Sequence, residues 1–382
     1  MAQGSMTASN ALPDSKPRYE ILDGLRGVAA VLVVLFHICE AHAASPLSQW
    51  INHGYLAVDF FFLLSGYVIG YAYDDRWAVM GQRGFFLRRL IRLHPMVILG
   101  SVVGAVAFYF ARGETFPLIA QTSTTHMLIV MLVGCTMIPL WPAADIRGWQ
   151  ETYPLNGPAW SLFFEYVGNL IYALVVRHFS LWLMAALVFV CASVTIHYGV
   201  TNPQGNFAGG WSLDPTQLRI GFTRLAFPFF AGLLLFRLGH IRPIRHAFWW
   251  CSLLLLVAFA LPRWGGEKHF WINGLYEALC IILLFPLVIF LGAGGKLTDP
   301  WSAKICDLMG RLSYPLYITH YALIYIYTAW IARTKLSLAQ AWPQALLVFL
   351  GSLTLAYLYL RCYDEPVRRW LQARWLAKKS VG

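Results

Sequence analysis

Apolar runs of roughly twenty residues recur along the whole chain, at about 24–43, 54–73, 95–112, 158–177, 180–199, 219–238, 247–262, 271–292, 312–332 and 343–362. Each is long enough to cross the hydrocarbon core of a bilayer as a helix. Only 12% of the 382 residues are charged, about half the share in soluble domains. So few charges cannot cover a water-facing surface, so the chain reads as an all-α polytopic membrane protein. The runs are continuous rather than alternating at every second residue, which excludes a β-barrel. A net charge of +11 then reads as anchoring on the cytoplasmic side of a bilayer rather than as a nucleic-acid footprint.

The basic residues set the topology. The tail with Lys16 and Arg18, and the connection with Arg76, Arg83, Arg88, Arg89 and Arg92, must both be cytoplasmic. The later basic loops at 237–245, 296–311 and 361–379 join them only if 113–157 contributes an even number of crossings. The short apolar run at 126–141 is therefore expected to be re-entrant or interfacial. The result is about ten transmembrane helices with the N- and C-termini cytoplasmic. Residues 1–19 are polar with no cleavage signature and read as a disordered cytosolic tail rather than a signal peptide. Residues 20–370 form one membrane domain, and 371–382 a basic cytosolic tail. The seven cysteines are scattered through apolar segments without metal-ligand spacing, so neither a disulfide framework nor a metal site is expected.

Several ionisable residues fall where a membrane should hold none. In the first run Asp23 and Arg26 are one helical turn apart and can pair. His37 follows Arg26 by eleven residues, which places it on nearly the same face about 16 Å deeper. Asp59 sits in an aromatic run followed by Ser65-Gly66, a small-residue step that permits close helix approach. Glu165 lies four residues after Ser161 and five after Trp160, inside a helix expected to begin after Pro158. A single buried histidine or acid can be a packing group. Two acids and a histidine from three helices instead suggest a polar cavity or proton path. Before the third run, Arg88, Arg89 and Arg92 give one basic edge on a helix. That edge suits lipid phosphates, or the phosphates of an anionic cofactor gripped by guanidinium forks. No glycine-rich nucleotide loop is present to do that work. His94, Arg224 and His320 read as structural or supporting.

Together these stretches resemble the membrane-bound acyltransferase-3 family, which O-acylates bacterial polysaccharides, peptidoglycan, lipid-linked sugars and some antibiotics. The resemblance runs from Leu22-Asp-Gly-Leu-Arg-Gly and His37 through Val58–Tyr67, Phe86–Pro95 and Trp160–Glu165 to Leu312–Tyr321 and Tyr363–Trp370. It departs at Leu93-His94-Pro95, where the family more often has tyrosine before proline. It implies a multi-pass enzyme of the bacterial cytoplasmic (inner) membrane, with residues 20–370 as the acyltransferase domain. Its co-substrate would be acetyl-CoA or another acyl-CoA, its acceptor a carbohydrate or glycoside, and no metal would be needed. Some relatives carry an external esterase-like domain. The short segment after the last run leads to the expectation that transfer is completed in the membrane domain itself.

On this reading His37 is the general base for the acceptor hydroxyl, with Glu165 or Asp59 fixing its tautomer. Arg26, Arg88, Arg89 and Arg92 hold coenzyme phosphates, and Asp23, Ser161, Trp160 and His320 support the site. Direct transfer and an acyl-enzyme on His37 both remain open, as does homo-oligomerisation. The competing classes are a proton-coupled secondary transporter, which also needs buried acids and histidines, and a non-catalytic export scaffold. Against the transporter, there are no paired broken helices in equivalent halves, and the arginine cluster has no role in it.

Overall fold

The computed structural model describes residues 16, 18–43, 49–239, 244–297 and 299–376. Most of the expected N-terminal tail and the end of the basic C-terminal tail lie outside these residues. Among those described the chain is all-helical, with a lone two-residue bridge between Gly113 and Phe116. The helices are α1 (Glu20–Glu40), α2 (Ala57–Tyr73), α3 (Trp77–Ala107), α4 (Thr124–Gly134), α5 (Ala159–Leu174), α6 (Leu181–Thr201) and α7 (Pro215–Leu238). They continue with α8 (Ala247–Ala260), α9 (Phe270–Leu279), α10 (Phe285–Gly294), α11 (Pro300–Thr319), α12 (Tyr321–Thr334), α13 (Leu338–Tyr359) and α14 (Glu365–Trp375).

Helix starts follow from local chemistry. Ser123, Ser180, Asp214 and Asp299 each accept a backbone N–H of the first turn, satisfying a donor that the helix leaves open. Pro215 and Pro300 occupy the first helical position, where a missing N–H costs nothing. Gly239, at φ 67°, ends α7 in the left-handed region.

Seven helical stretches among the described residues are long and apolar enough to cross a membrane: Glu20–Glu40, Gly54–Tyr73, Trp77–Ala111, Leu181–Thr201, Pro215–Leu238, Phe270–Gly294 and Leu338–Trp375. The protein is thus a multi-pass membrane protein. Helices α5, α8 and the α11–α12 pair cover the other three expected runs but fall short of that measure. The 126–141 run overlaps an 11-residue helix, α4, about 16 Å long or roughly half the hydrocarbon core.

Two boundaries differ from expectation. The arginine-rich connection is not separate from the third run: beyond a break at Gly81 (φ 64°), α3 carries Arg83, Arg88, Arg89 and Arg92 and continues through Pro95. The 312–332 run is divided at His320, whose ring turns back onto the Leu316 and Tyr317 carbonyls and competes with the backbone ladder there. Helix α2 packs closely on α7, as its Ser65-Gly66 step suggests. A Cβ at Gly66 would sit 2.0 Å from the Phe229 carbonyl oxygen, and one at Gly232 would sit 2.1 Å from that of Leu63. Helix α1 packs on α11, and these two pairs carry the residues around which the cavities form.

Candidate active site

His37 lies in the last turn of α1, facing a cavity of about 770 Å³. Its Nδ1 is 2.7 Å from Glu40 Oε2, one turn on. A carboxylate only accepts, so the ring carries its proton on Nδ1 and offers a lone pair at Nε2. The His320 ring stacks on it with centroids 5.6 Å apart, and Tyr321 meets it edge-on at 4.7 Å. Trp149, Trp160, Trp211 and Tyr55 contribute aromatic wall, and Glu151 and Arg263 polar wall.

Buried ion pairs brace this chamber. Asp59 is wholly buried against Arg224, with Nη2 and Oδ2 2.7 Å apart. The same guanidinium donates to the carbonyls of Gly209 and Tyr55 and lies over the Trp160 ring at 5.1 Å. Glu277, also wholly buried, accepts from His53 Nδ1 and the Phe207 N–H, each at 2.8 Å, and from the Tyr55 hydroxyl, with Arg263 at 3.8 Å. One carboxylate on α9 thus ties three connecting segments together. A carboxylate this deep persists only with such a full set of partners.

The connection before α5 folds inward as well. Asp145 accepts from the N–H groups of Arg147, Gly148 and Gln150. The Arg147 guanidinium stacks 3.6 Å over the Tyr325 ring. Glu151 accepts from the Tyr325 hydroxyl at 2.7 Å, and burial pushes its carboxyl up to about 7 despite Arg147 nearby.

A second, smaller cavity of about 90 Å³ lies toward the start of α1. Arg26, Arg89, Arg92, Glu165, Ser65 and Ser161 are on its wall. Arg26 pairs with Asp23 at 2.9 Å and donates to Ser313 Oγ at 2.8 Å. Arg89 donates to Glu165, which also accepts from Ser65 at 2.8 Å. Arg92 has no hydrogen-bond or ion-pair partner among the described residues, leaving one cation available to an anionic ligand. Val58 and Tyr317 belong to the walls of both cavities. Ser161 Oγ donates to the Pro158 carbonyl at 2.9 Å and receives the Tyr317 hydroxyl at 2.7 Å. That link holds Tyr317 as part of a partition between the chambers.

The structure redistributes the expected residues. Arg26 and His37 are on one helix but face different cavities. Glu165 and Asp59 do not reach His37: each is held by an arginine, Arg89 or Arg224. The acid on the imidazole is Glu40, signalled by its i,i+3 spacing on the same helix but not picked out in the sequence. Arg89 and Arg92 reach the smaller cavity and Arg88 does not. Trp160 lines the larger chamber. Glu151, Tyr317, Arg263 and Glu277 were also not singled out. Among the described residues, no group of three His, Cys, Asp or Glu could hold a metal ion, and the seven cysteines are free.

The sequence also matches known proteins. Residues 19–361 match the model of the acyltransferase domain of the acyltransferase-3 group. The chain is 34% identical over 165 residues to protein 2 of the picA locus of Rhizobium radiobacter, covering 41% of this chain and 81% of that one. It is 23% identical over 385 residues to the peptidoglycan O-acetyltransferase OatA of Listeria monocytogenes, covering 91% of this chain and 55% of that one. The chain therefore spans about half the length of that enzyme. No solved structure matches.

Proposed function

The chain belongs to the acyltransferase-3 family and is an acyltransferase, and from that premise we propose that it moves an acetyl group from acetyl-CoA to a hydroxyl of a carbohydrate or glycoside. The donor enters the arginine-lined cavity from the cytosol, where Arg92 and Arg26 bind its phosphates. The acceptor enters the aromatic chamber from the opposite side. His37 Nε2 takes the hydroxyl proton as the oxygen attacks the thioester carbonyl. The tetrahedral intermediate expels the thiolate, which recovers the proton from the imidazolium, and Glu40 stabilises that cation in between. Ten spans with both termini cytoplasmic, in a bacterial inner membrane, provide this two-sided access.

The observation that carries the reading is the pairing of His37 with Glu40 in a chamber that shares the Tyr317 partition with the arginine-lined cavity. The relatives add support, since one is named for O-acetylation of peptidoglycan. Purified protein in detergent, given radiolabelled acetyl-CoA and a carbohydrate acceptor, should form an acetyl ester. His37→Ala should lose at least about 100-fold in that rate, the usual worth of a general base, while eluting as a monodisperse species. Undiminished transfer by that variant would reject the mechanism.

A further inference from the structure

The larger chamber contains a second imidazole to which the reaction above gives no task. His320 is 1% exposed and lines the same cavity as His37. Its Nδ1 lies 2.8 Å from the Tyr317 carbonyl oxygen and 3.1 Å from that of Leu316. Carbonyls only accept, so the proton is on Nδ1 and Nε2 presents a lone pair. That nitrogen is buried without a hydrogen-bond partner among the described residues. A buried, unsatisfied acceptor is costly, and donors are what a polyhydroxylated ligand supplies. With ring centroids 5.6 Å apart, two imidazolium charges would repel. The ring that does not take the proton therefore remains an acceptor throughout.

We propose that His320 Nε2 receives a hydrogen bond from a second hydroxyl of the acceptor, so that the substrate is a molecule with two neighbouring hydroxyls, one meeting His37 and the other His320. This rests on the aromatic chamber being the acceptor's. His37 performs the proton transfer; His320 selects and orients.

The test is transfer by the full-length protein in detergent, from acetyl-CoA to methyl glycosides of glucose, galactose and mannose and to the monodeoxy analogues of each. Among the deoxy analogues that keep the hydroxyl acetylated in the parent, the wild type should favour the glycoside over one by roughly tenfold or more in kcat/KM, the worth of a hydrogen bond whose loss strands a buried acceptor. His320→Ala should fall by a similar factor on the parent glycoside and not on that analogue. His320→Gln, whose amide oxygen accepts, should recover part of the preference. Equal wild-type rates on the parent glycoside and on every deoxy analogue that keeps the acetylated hydroxyl overturn the proposal, and this arm needs no variant to fold. A His320→Ala rate that falls equally on both acceptors also overturns it, showing a structural role. No transfer to any of these glycosides overturns the acceptor reading itself and this proposal with it.

Discussion

Glu40 gives the sharpest test of the chemistry, because sequence logic and geometry assign the acid differently. Its carboxylate is 2.7 Å from His37 Nδ1 and its side chain is 50% exposed. With charge centres about 4 Å apart, the attraction to an imidazolium is about 1 kcal/mol in water and about 4 kcal/mol at an effective dielectric of 20. Half exposure places the pair between these limits, and a hydrogen bond to a charged group contributes about 1.5–3 kcal/mol on its own. About 2 kcal/mol of transition-state stabilisation is therefore at stake, or about 30-fold in rate. Glu40→Ala should lower kcat by that factor, leave the KM for acetyl-CoA within about twofold of wild type, and not disturb the fold, since the carboxylate has no buried partner to strand. Single-turnover transfer from radiolabelled acetyl-CoA reads this directly. A Glu40→Ala enzyme with wild-type kcat would refute the argument, most directly if Glu165→Gln or Asp59→Asn lost catalysis while remaining folded.

Two further outcomes follow from the same geometry. Arg92→Gln should raise the KM for acetyl-CoA about tenfold or more, the worth of one charge-assisted phosphate contact, whereas Arg88→Gln, off the cavity wall, should change it less than twofold; equal effects in initial-rate assays would count against the assignment. Glu151, held near 7 in the fold against an ordinary 4.5, binds a proton on folding, so its contribution to stability is present below about 4.5 and is lost as pH rises through about 7. Glu151→Gln should therefore narrow the fall in Tm between pH 5 and pH 8 measured in detergent, and an unchanged fall would show that Glu151 is not the group responsible.

The helical architecture was readable because bilayer physics writes long apolar runs and helix caps locally in sequence. The Asp23–Arg26 pair was readable for the same reason, being one turn apart. The partners of Glu165 and Asp59 were not, since Arg89 and Arg224 lie 76 and 165 positions away. Only the fold decides which cation reaches a buried acid. The arginine edge was resolved more finely than its spacing allowed. On a helical wheel Arg92 lies between Arg88 and Arg89, and the cavity sits on the Arg89 side. The connection at 142–157 is polar in sequence, yet Arg147 is 1% exposed and Glu151 6%. Polarity alone cannot reveal that a loop folds inward when its charges find aromatic and hydroxyl partners, as these do with Tyr325.

On the proposed mechanism the two-chamber layout also constrains the donor. Arg26 and His37 are on one rigid helix, eleven residues or about 16 Å apart along its axis, and Ser313, Tyr317 and His320 lie along the neighbouring segment. The distance between Arg26, proposed to bind phosphate, and His37, the proposed base, is therefore fixed by helix geometry and cannot shrink to suit a small ligand. A donor with phosphates at one end of a long arm and a thioester at the other satisfies both ends at once, which a compact acyl phosphate cannot. The arm must still pass Tyr317 and Val58. That tyrosine is held by its hydrogen bond to Ser161 and by edge-on packing of the Phe61 ring 5.2 Å away, so on the proposed mechanism donor binding must offset the loss of both contacts.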